Sequence, residues 1–220
     1  MVGRAAGRPG GRVQSAVSYA TLGVLGLIVL FPFYWMINTS FKGEDQMRSL
    51  LSMFWPSPFV VENYQQLVRK TEFLSWYANS VIVAVCSTFV ATAVGTIGAY
   101  ALARLKFLGR GFMASATLIT YLVPPSILFI PLYAQIKTLG LANSLAGLVL
   151  SYPSFTVPFV TWLLMGYFES IPEELEEAAM IDGATRFGAF RRVILPLAAP
   201  GVLAASLYAF TQAWNEFLYA

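Results

Sequence analysis

This chain of 220 residues is 57% hydrophobic and only 11% charged, which excludes an ordinary soluble domain, where roughly 45–50% and about 25% are usual. It has no histidine, and its one cysteine, Cys86, lies in an apolar run where we interpret it as a small buried residue. Internal disulfides, zinc sites with His or paired Cys ligands, and histidine-dependent catalysis are therefore excluded. The net charge of +3 comes from basic residues between apolar runs, which indicates membrane topology rather than a nucleic-acid partner.

Charge-free intervals predict the membrane spans, because a helix crosses about 30 Å of hydrocarbon with around 20 residues. Five intervals are long enough, and in chain order they are Val13 to Phe41, Phe73 to Ala103, Gly111 to Ile136, Thr138 to Phe168, and Val193 to Asn215. The sequence thus predicts an all-α, polytopic membrane helix bundle. We divide it into a tail (1–12), a first helix with its external loop (13–72), and a main transmembrane domain (73–220).

Prolines interrupt the third and fourth intervals. Pro124 and Pro125 lie within the third, and Pro153 and Pro158 within the fourth. Because proline cannot donate a backbone hydrogen bond, we expect these helices to be kinked or broken. Such breaks often line a pathway, but a kink that only fits the packing of a bundle is the preferred interpretation.

The distribution of Lys and Arg predicts the orientation. The tail, the 104–110 loop and the 169–192 loop alternate along the chain and carry nine basic residues in short segments, whereas the opposite side carries five, diluted by acids. By the positive-inside rule, the amino terminus is predicted to be cytoplasmic. The first interval is too long for the apolar core of a cleaved signal peptide and ends in an aromatic belt, so we keep it as a mature helix.

Small residues four apart form two stripes that predict close helix packing. The second interval carries one stripe and the fifth carries another, and their members are Ala91, Gly95, Ala99 and Ala103, and Gly201, Ala205, Ala209 and Ala213. A packing role is the expected one for both stripes.

The predicted cytoplasmic loop 169–192 carries the most specific pattern. Ser170 with Glu173 is typical of a capping box, and Gly183 is suited to end a first short helix in the left-handed conformation. Thr185 is then placed to cap a second helix with Phe187, Phe190 and Val193 or Ile194 on one side. The apolar face of the first helix, Leu175, Ala178 and Ala179, and the exposed aromatics of the second indicate a docking element for a protein. An ordinary solvated loop is the alternative.

These residues resemble a known family. The pattern Glu177-Ala178-Ala179, Gly183, Val193 and Leu195-Pro196 is similar to the EAA loop of permease subunits of ATP-binding-cassette importers, with valine where the family has isoleucine. Further similarity lies in Trp35, Ser40 and Phe41; Asn63-Tyr64; Asn79-Ser80; Tyr100 to Arg104 with Phe107, Gly109 and Arg110; Ile181 to Ala184; and Trp214 to Phe217. Together they resemble the carbohydrate-uptake branch, specifically its smaller, maltose-type (MalG-like) permease.

The resemblance implies a fold, partners and site residues. It implies the type-1 transmembrane fold, a second permease subunit, two ATPase subunits that bind ATP and Mg, an extracytoplasmic solute-binding protein, and a bacterial cytoplasmic membrane. The EAA loop would contact an ATPase, with Glu177 as the acidic contact, Ala178 and Ala179 as the close-packing face, and Gly183 as the turn. The whole implied coupling set is Glu177, Ala178, Ala179, Asp182, Gly183, Ala184, Leu195 and Pro196.

Two properties of the sequence support a permease that is powered by another subunit. All four lysines follow a residue other than glycine, so the chain has no Gly-Lys-Ser/Thr phosphate-binding sequence. The five intervals hold no ionisable residue away from their ends, which disfavours an ion-coupled transporter or channel. An intramembrane protease is disfavoured because histidine and a Gly-x-Ser-x-Gly elbow are absent.

Substrate contacts stay open at this point. Aromatic and hydrogen-bonding side chains suited to a sugar are numerous, and the candidates are Tyr100, Tyr121, Tyr152, Trp162, Gln212, Trp214, Asn215 and Glu216. The resemblance also calls for six spans where five are present, so we expect the full gene product to continue for roughly 50–60 residues, one further span with its connections.

Overall fold

The computed structural model describes residues 10–48 and 54–219, with side chains from residue 14 onward, and no strand occurs in those ranges. The all-α prediction is therefore confirmed for the described chain. The predicted tail lies outside the described residues up to residue 9, and the first helix already begins at Gly10. The helices are α1 (Gly10–Ser40), α2 (Glu44–Met47), α3 (Glu62–Lys70), α4 (Phe73–Arg104), α5 (Arg110–Tyr121), α6 (Pro125–Thr138), α7 (Leu145–Ser151), α8 (Pro153–Glu169), α9 (Glu174–Ile181), α10 (Arg186–Ala189), α11 (Leu195–Leu197) and α12 (Ala199–Trp214).

The five predicted spans correspond to three long apolar helices and two bent pairs in the described residues. The long segments are α1, α4 and the run from α7 through α8. The pair α5 and α6 is bent by 100°, and the chain from α10 through α11 meets α12 at 75°. Five spans result when each bent pair counts as one.

Of the two intervals expected to be kinked or broken at proline, the third is sharply bent and the fourth is not. The third interval breaks between Tyr121 and Pro125, as predicted. The fourth is only interrupted at Tyr152, since Pro153 begins α8 and Pro158 is accommodated inside it. In the fifth, the straight helix begins at Ala199 rather than at the predicted Val193.

The chain forms two compact units, one up to Leu74 and one from Ser75 onward. In the first unit, the segment after α1 folds back on the end of that helix. The Phe41 ring lies 5.4 Å from both Phe59 and Tyr64. The Asn63 amide donates to the carbonyl oxygens of Ser40 and Lys42 at 3.0 and 2.8 Å, which satisfies acceptors that the end of a helix leaves free.

The core of the second unit is built around α8, and both small-residue stripes are buried there as predicted. Ala91, Ala99 and Ala205 are completely inaccessible. A Cβ added at Gly95 would lie 2.5 Å from Val160 Cγ1, and one at Gly201 would lie 2.6 Å from the Tyr167 ring. The stripes therefore let α4 and α12 approach α8 closely.

Cys86 is exposed on α4, so its interpretation as a buried residue is wrong. Position 86 lies five residues before Ala91, about 140° around the helix at 100° per residue. The buried face of α4 near Cys86 follows the stripe that begins at Ala91, so an apolar neighbourhood in sequence did not place Cys86 inside.

Candidate functional site

The first helix of the EAA loop, α9, begins differently from the prediction. Its N-cap is Glu173, whose side chain makes no capping bond. Ser170 instead closes α8, where its hydroxyl donates to the Tyr167 carbonyl oxygen at 2.7 Å. The predicted capping box is therefore wrong, because Ser170 is already used by the preceding helix. Glu174, Glu176 and Glu177 still place negative charge at the positive end of the α9 dipole.

The turn between the two loop helices forms as predicted. Gly183 is left-handed, with φ of +91°. The Gly183 N–H donates to Met180 O at 3.1 Å and the Ala184 N–H to Ala179 O at 3.0 Å, the two bonds of a Schellman ending. An added Cβ at Gly183 would meet no atom within 4 Å, so glycine is required by the backbone conformation and not by space.

Thr185 caps the second loop helix, also as predicted. Its Oγ1 accepts from the Gly188 N–H at 3.1 Å. The helix continues through one π-helical turn at Phe190–Ile194, in which the Leu195 N–H donates to Phe190 O. This turn directly precedes Pro196, which has no N–H for a regular helical bond.

The implied coupling residues divide between an exposed surface and a small cleft. Glu177, Ala178 and Asp182 are exposed, whereas Ala179 and Ala184 are half-buried. The half-buried pair lines a cleft of about 250 Å³ together with Asp182, Gly183, Gly188, Ala189, Arg192 and Val193. Leu195 is half-buried and Pro196 exposed, and both lie in α11, next to the bend into α12.

Apolar side chains of the loop are only partly covered by the chain itself. Leu175, Ile181 and Phe187 are 43%, 85% and 70% exposed. Phe190, predicted to be exposed, is buried between Tyr100 at 4.4 Å and Phe168 at 6.4 Å between ring centroids. The loop thus keeps one aromatic ring in the core and presents the other at the surface.

A buried polar cluster fixes α9 to the end of α4. The Tyr100 hydroxyl donates to Glu176 Oε1 at 2.6 Å, and Arg104 Nε lies 3.9 Å from Glu176 Oε2. Arg104 Nη2 also donates to the carbonyl oxygens of Phe168, at 2.8 Å, and of Ile171. Tyr100, Arg104 and Glu176 are all less than a tenth exposed. We call these three residues the anchor cluster.

A second arginine closes the end of α4. Arg110 donates from Nε to Leu102 O at 2.5 Å and from Nη2 to Ala103 O at 2.9 Å, which satisfies carbonyls at the end of the helix. Its Nη2 lies 3.8 Å from Glu169 Oε1, at the last residue of α8. The ends of α4 and α8 are thus tied together on the side where the EAA loop leaves the bundle.

The sequence had not assigned a role to the anchor cluster. Tyr100 and Arg104 entered as part of the family resemblance, and Tyr100 was also a candidate for sugar contact; its hydroxyl is buried and bonded to Glu176. One signal was available, because a tyrosine and an arginine four residues apart share one face of a helix. Nothing in the sequence pointed to Glu176, 76 residues away from Tyr100.

Three of the other sugar-contact candidates belong to one aromatic group. The Phe159 ring lies tilted against three others, with its centroid 4.9 Å from that of Tyr121, 6.0 Å from that of Trp162 and 3.9 Å from that of Tyr208. Gln212 Nε2 donates to the Tyr208 hydroxyl at 2.9 Å. We call Tyr121, Phe159, Trp162, Tyr208 and Gln212 the aromatic group.

The remaining candidates lie elsewhere and are engaged within the chain. Tyr152 is buried, and Trp214 stacks on Phe210 at 5.8 Å. Asn215 donates to Thr211 O at 2.8 Å, and a Glu216 carboxylate oxygen accepts from the Leu218 N–H at 2.8 Å. The structure does not bring these four residues into the aromatic group.

A cavity of about 450 Å³ is lined by none of the eight sugar-contact candidates. Aromatic rings and amide or hydroxyl groups line it, chiefly from Asn79, Phe129, Tyr133, Asn143, Ser144 and Tyr219. Burial, together with the carboxylate of Glu216, raises the pKa of the Tyr219 phenol above its ordinary value. The Tyr219 hydroxyl donates to Pro125 O at 2.7 Å, which holds this ring beside α6.

Comparison with known proteins identifies the family. A family model described as "Binding-protein-dependent transport system inner membrane component" matches residues 91–220. The chain is 36% identical to the diacetylchitobiose uptake system permease protein DasC of Streptomyces coelicolor, over 94% of this chain and 74% of that protein. It is 39% identical to the sulfoquinovosyl glycerol transport system permease protein SmoH of Agrobacterium fabrum, over 87% of this chain and 67% of that protein.

The fold also matches a solved structure. A bacterial ABC transporter involved in the import of the acidic polysaccharide alginate superposes with a TM-score of 0.78, at 24% identity, over 96% of this chain and 74% of that chain. This agreement supports the type-1 transmembrane fold expected from the resemblance. The chain therefore belongs to the family of binding-protein-dependent transport system inner membrane components, as a permease subunit of an ATP-binding-cassette importer.

Proposed function

We propose that this permease is coupled through its EAA loop to an ATPase subunit that drives import. The observation that carries the proposal is the two-sided arrangement of α9. Its inner side is fixed by the anchor cluster through Glu176, while Glu177 and Ala178 are exposed. A helix held in this way moves with α4 and α8 as one body, which suits rigid-body switching between inward-facing and outward-facing states.

Other parts of the implied assembly belong to this proposal. A second permease would complete the pathway, two ATPase subunits would bind ATP and Mg, and an extracytoplasmic binding protein would deliver the cargo. The membrane is an inner membrane, as the family description states, and we propose that it is a bacterial one. The basic residues of the EAA loop and of the 104–110 loop, three in each, support a cytoplasmic amino terminus and a cytoplasmic EAA loop, because the positive-inside rule counts Lys and Arg and gives acids little weight.

The coupling proposal is tested by Glu177→Lys. The exposed Glu177 shares a polar cavity of about 310 Å³ with Arg104, Lys106 and Arg186, so charge reversal removes an acidic contact and adds repulsion. We expect weaker copurification of the ATPase and slower ATP-dependent uptake, with the permease still in the membrane. The measurements are pull-down from detergent and uptake into proteoliposomes.

Glu174→Lys is the matched control, since Glu174 is an exposed acid in the same helical turn and lies outside that cavity. This substitution changes the charge by the same amount and removes the same favourable interaction of an acid with the helix dipole. We expect a smaller effect than for Glu177→Lys. Normal association and normal uptake in the Glu177 variant would refute the coupling role.

We further propose that the cargo is a sugar or a sugar derivative. DasC and SmoH are named for transport systems of diacetylchitobiose and sulfoquinovosyl glycerol. The aromatic group supplies partly exposed ring faces at Tyr121 and Trp162, which suit the apolar faces of sugar rings. Beside it, a groove of about 260 Å³ between α5 and α8 is lined by Thr117, Thr120 and Thr161, whose hydroxyl oxygens can accept hydrogen bonds from a sugar.

The cargo proposal predicts the ligand of the cognate binding protein. Thermal-shift screening of that protein should show stabilisation by sugars, because a ligand bound only by the folded state raises the melting temperature. Peptides and metal chelates serve as the comparison set. Stabilisation by a member of that set, with none by sugars, would overturn the cargo class and leave the coupling proposal intact.

A further inference from the structure

A short segment of the first unit presents aromatic side chains to its surroundings. Phe54, Trp55 and Phe59 are 62%, 66% and 55% exposed. No charged residue occurs between Arg48 and Glu62. We call Phe54–Phe59 the aromatic segment. Neither the coupling role nor the sugar pathway uses it.

The structure fixes the level of this segment along α1. The Tyr34 hydroxyl donates to the Phe54 carbonyl oxygen. Tyr34 lies six residues before Ser40, the last residue of α1, which is about 9 Å back along the axis at 1.5 Å per residue. The Phe54 end of the aromatic segment therefore lies beside the last two turns of the helix, whereas its Phe59 end packs beside Phe41, just past the last residue of the helix.

The side chains of those two turns indicate the boundary of the bilayer. The Lys42 ammonium lies over the Trp35 ring, 5.4 Å from its centroid. A cation is costly in hydrocarbon, whereas tryptophan and tyrosine are enriched where headgroups meet acyl chains. The level of Tyr34 and Trp35, and with it that of the aromatic segment, thus corresponds to the headgroup zone.

The backbone of the segment is suited to such a place, where unpaired polar groups are costly. The Gln46 amide donates to Pro58 O at 2.9 Å, and its oxygen accepts from the Ser57 N–H at 3.3 Å. The Val60 N–H, just beyond the segment, donates to Phe41 O at 2.9 Å. Pro56 and Pro58 have no N–H to satisfy. Because these bonds pair backbone polar groups of the segment, its exposed surface consists mainly of the aromatic side chains.

We propose that the aromatic segment is a membrane anchor that inserts Phe54, Trp55 and Phe59 into the headgroup and acyl boundary at the membrane face where α1 ends. A soluble protein partner is the other conceivable occupant. The lipid surface is favoured because the segment carries no charge and lies level with a helix segment that is itself in the bilayer. The charged residues of this unit flank the segment, with Glu44, Asp45 and Arg48 before it and α3, which begins with Glu62 and ends with Arg69 and Lys70, after it.

Tryptophan quenching tests the proposal in the assembled transporter, reconstituted into phosphatidylcholine vesicles. One lipid preparation is brominated near the headgroup and another near the chain end, and iodide is the quencher in water. The fluorescence of Trp55 is obtained as the emission of the wild-type chain minus that of Trp55→Phe. We expect this fluorescence to be quenched most strongly by bromines near the headgroup and least by iodide in water. Strong iodide quenching without bromine quenching would overturn the proposal.

A second measurement does not depend on the other tryptophans. An environment-sensitive fluorophore is attached at Trp55→Cys in a Cys86→Ser chain, with Gln66→Cys on the exposed surface of α3 as the matched control. We expect blue-shifted emission at position 55 and water-like emission at position 66 in vesicles of phosphatidylcholine alone. Equal emission at the two positions, or a blue shift at position 55 only after the solute-binding protein is added, would refute the lipid anchor.

Discussion

Arg104→Met is expected to lower the free energy of unfolding of the permease by about 3–5 kcal/mol, the usual result of removing one partner from a buried ion pair. Glu176 would keep its buried carboxylate, with the Tyr100 hydroxyl as its remaining close partner. The carbonyl oxygens of Phe168 and Ile171 would lose a charged donor. The measurement is thermal unfolding in detergent, combined with ATP-dependent uptake.

Arg191→Met is the matched control, because Arg191 is an exposed arginine of the same loop. It should shift the melting temperature little. A triple variant, Arg104→Met with Glu176→Leu and Tyr100→Phe, should regain much of the lost stability, since it removes the unpaired buried charge. An unchanged melting temperature in Arg104→Met would show that the anchor cluster does not hold the loop.

Gly95→Ala is expected to lower stability by about 1–3 kcal/mol, the usual cost of adding a methyl group to a filled core. The new Cβ would lie 2.5 Å from Val160 Cγ1 and 3.4 Å from the Thr161 backbone nitrogen. Val160 is completely buried, so its side chain cannot turn out of the core to make room. To relieve the clash, α4 must move away from α8. The loss of stability is measured by thermal unfolding in detergent.

The same substitution at Gly166 should act in the opposite direction. Gly166 lies within α8, and a Cβ there would meet no atom within 4 Å. Alanine is favoured over glycine in a helix by about 1 kcal/mol, so Gly166→Ala should raise the melting temperature. Shifts of equal sign in the two variants would argue against the tight contact between α4 and α8.

Features set by local chemistry could be predicted from the sequence, and the structure bears out most of them. Gly183 ends α9 and Thr185 caps α10 because each acts on the backbone within a few residues. The stripes of small residues predicted a packed face of α4 and α12, since helical spacing alone puts their members on one side. The break before Pro125 follows from the missing N–H of proline.

Features set by distant parts of the chain could not be predicted in this way. The pairing of Glu176 with Tyr100 and Arg104 requires knowing that the start of α9 returns to the end of α4. The same return buries Phe190, which helical spacing could only assign to the face that it shares with Phe187. Ser170 was misassigned because a serine at the junction of two helices can serve either one, and here it closes α8.

The anchor cluster also imposes an order on synthesis. Glu176 lies 76 residues after Tyr100 in the chain, so at about 5–20 residues per second roughly 4–15 seconds separate the making of the two halves of this contact. During that interval Arg104 has neither its carboxylate nor the Phe168 and Ile171 carbonyls. The guanidinium lacks these buried partners until α8 and the start of α9 have been made. The end of α4 thus receives its final place in the bundle only when the EAA loop emerges.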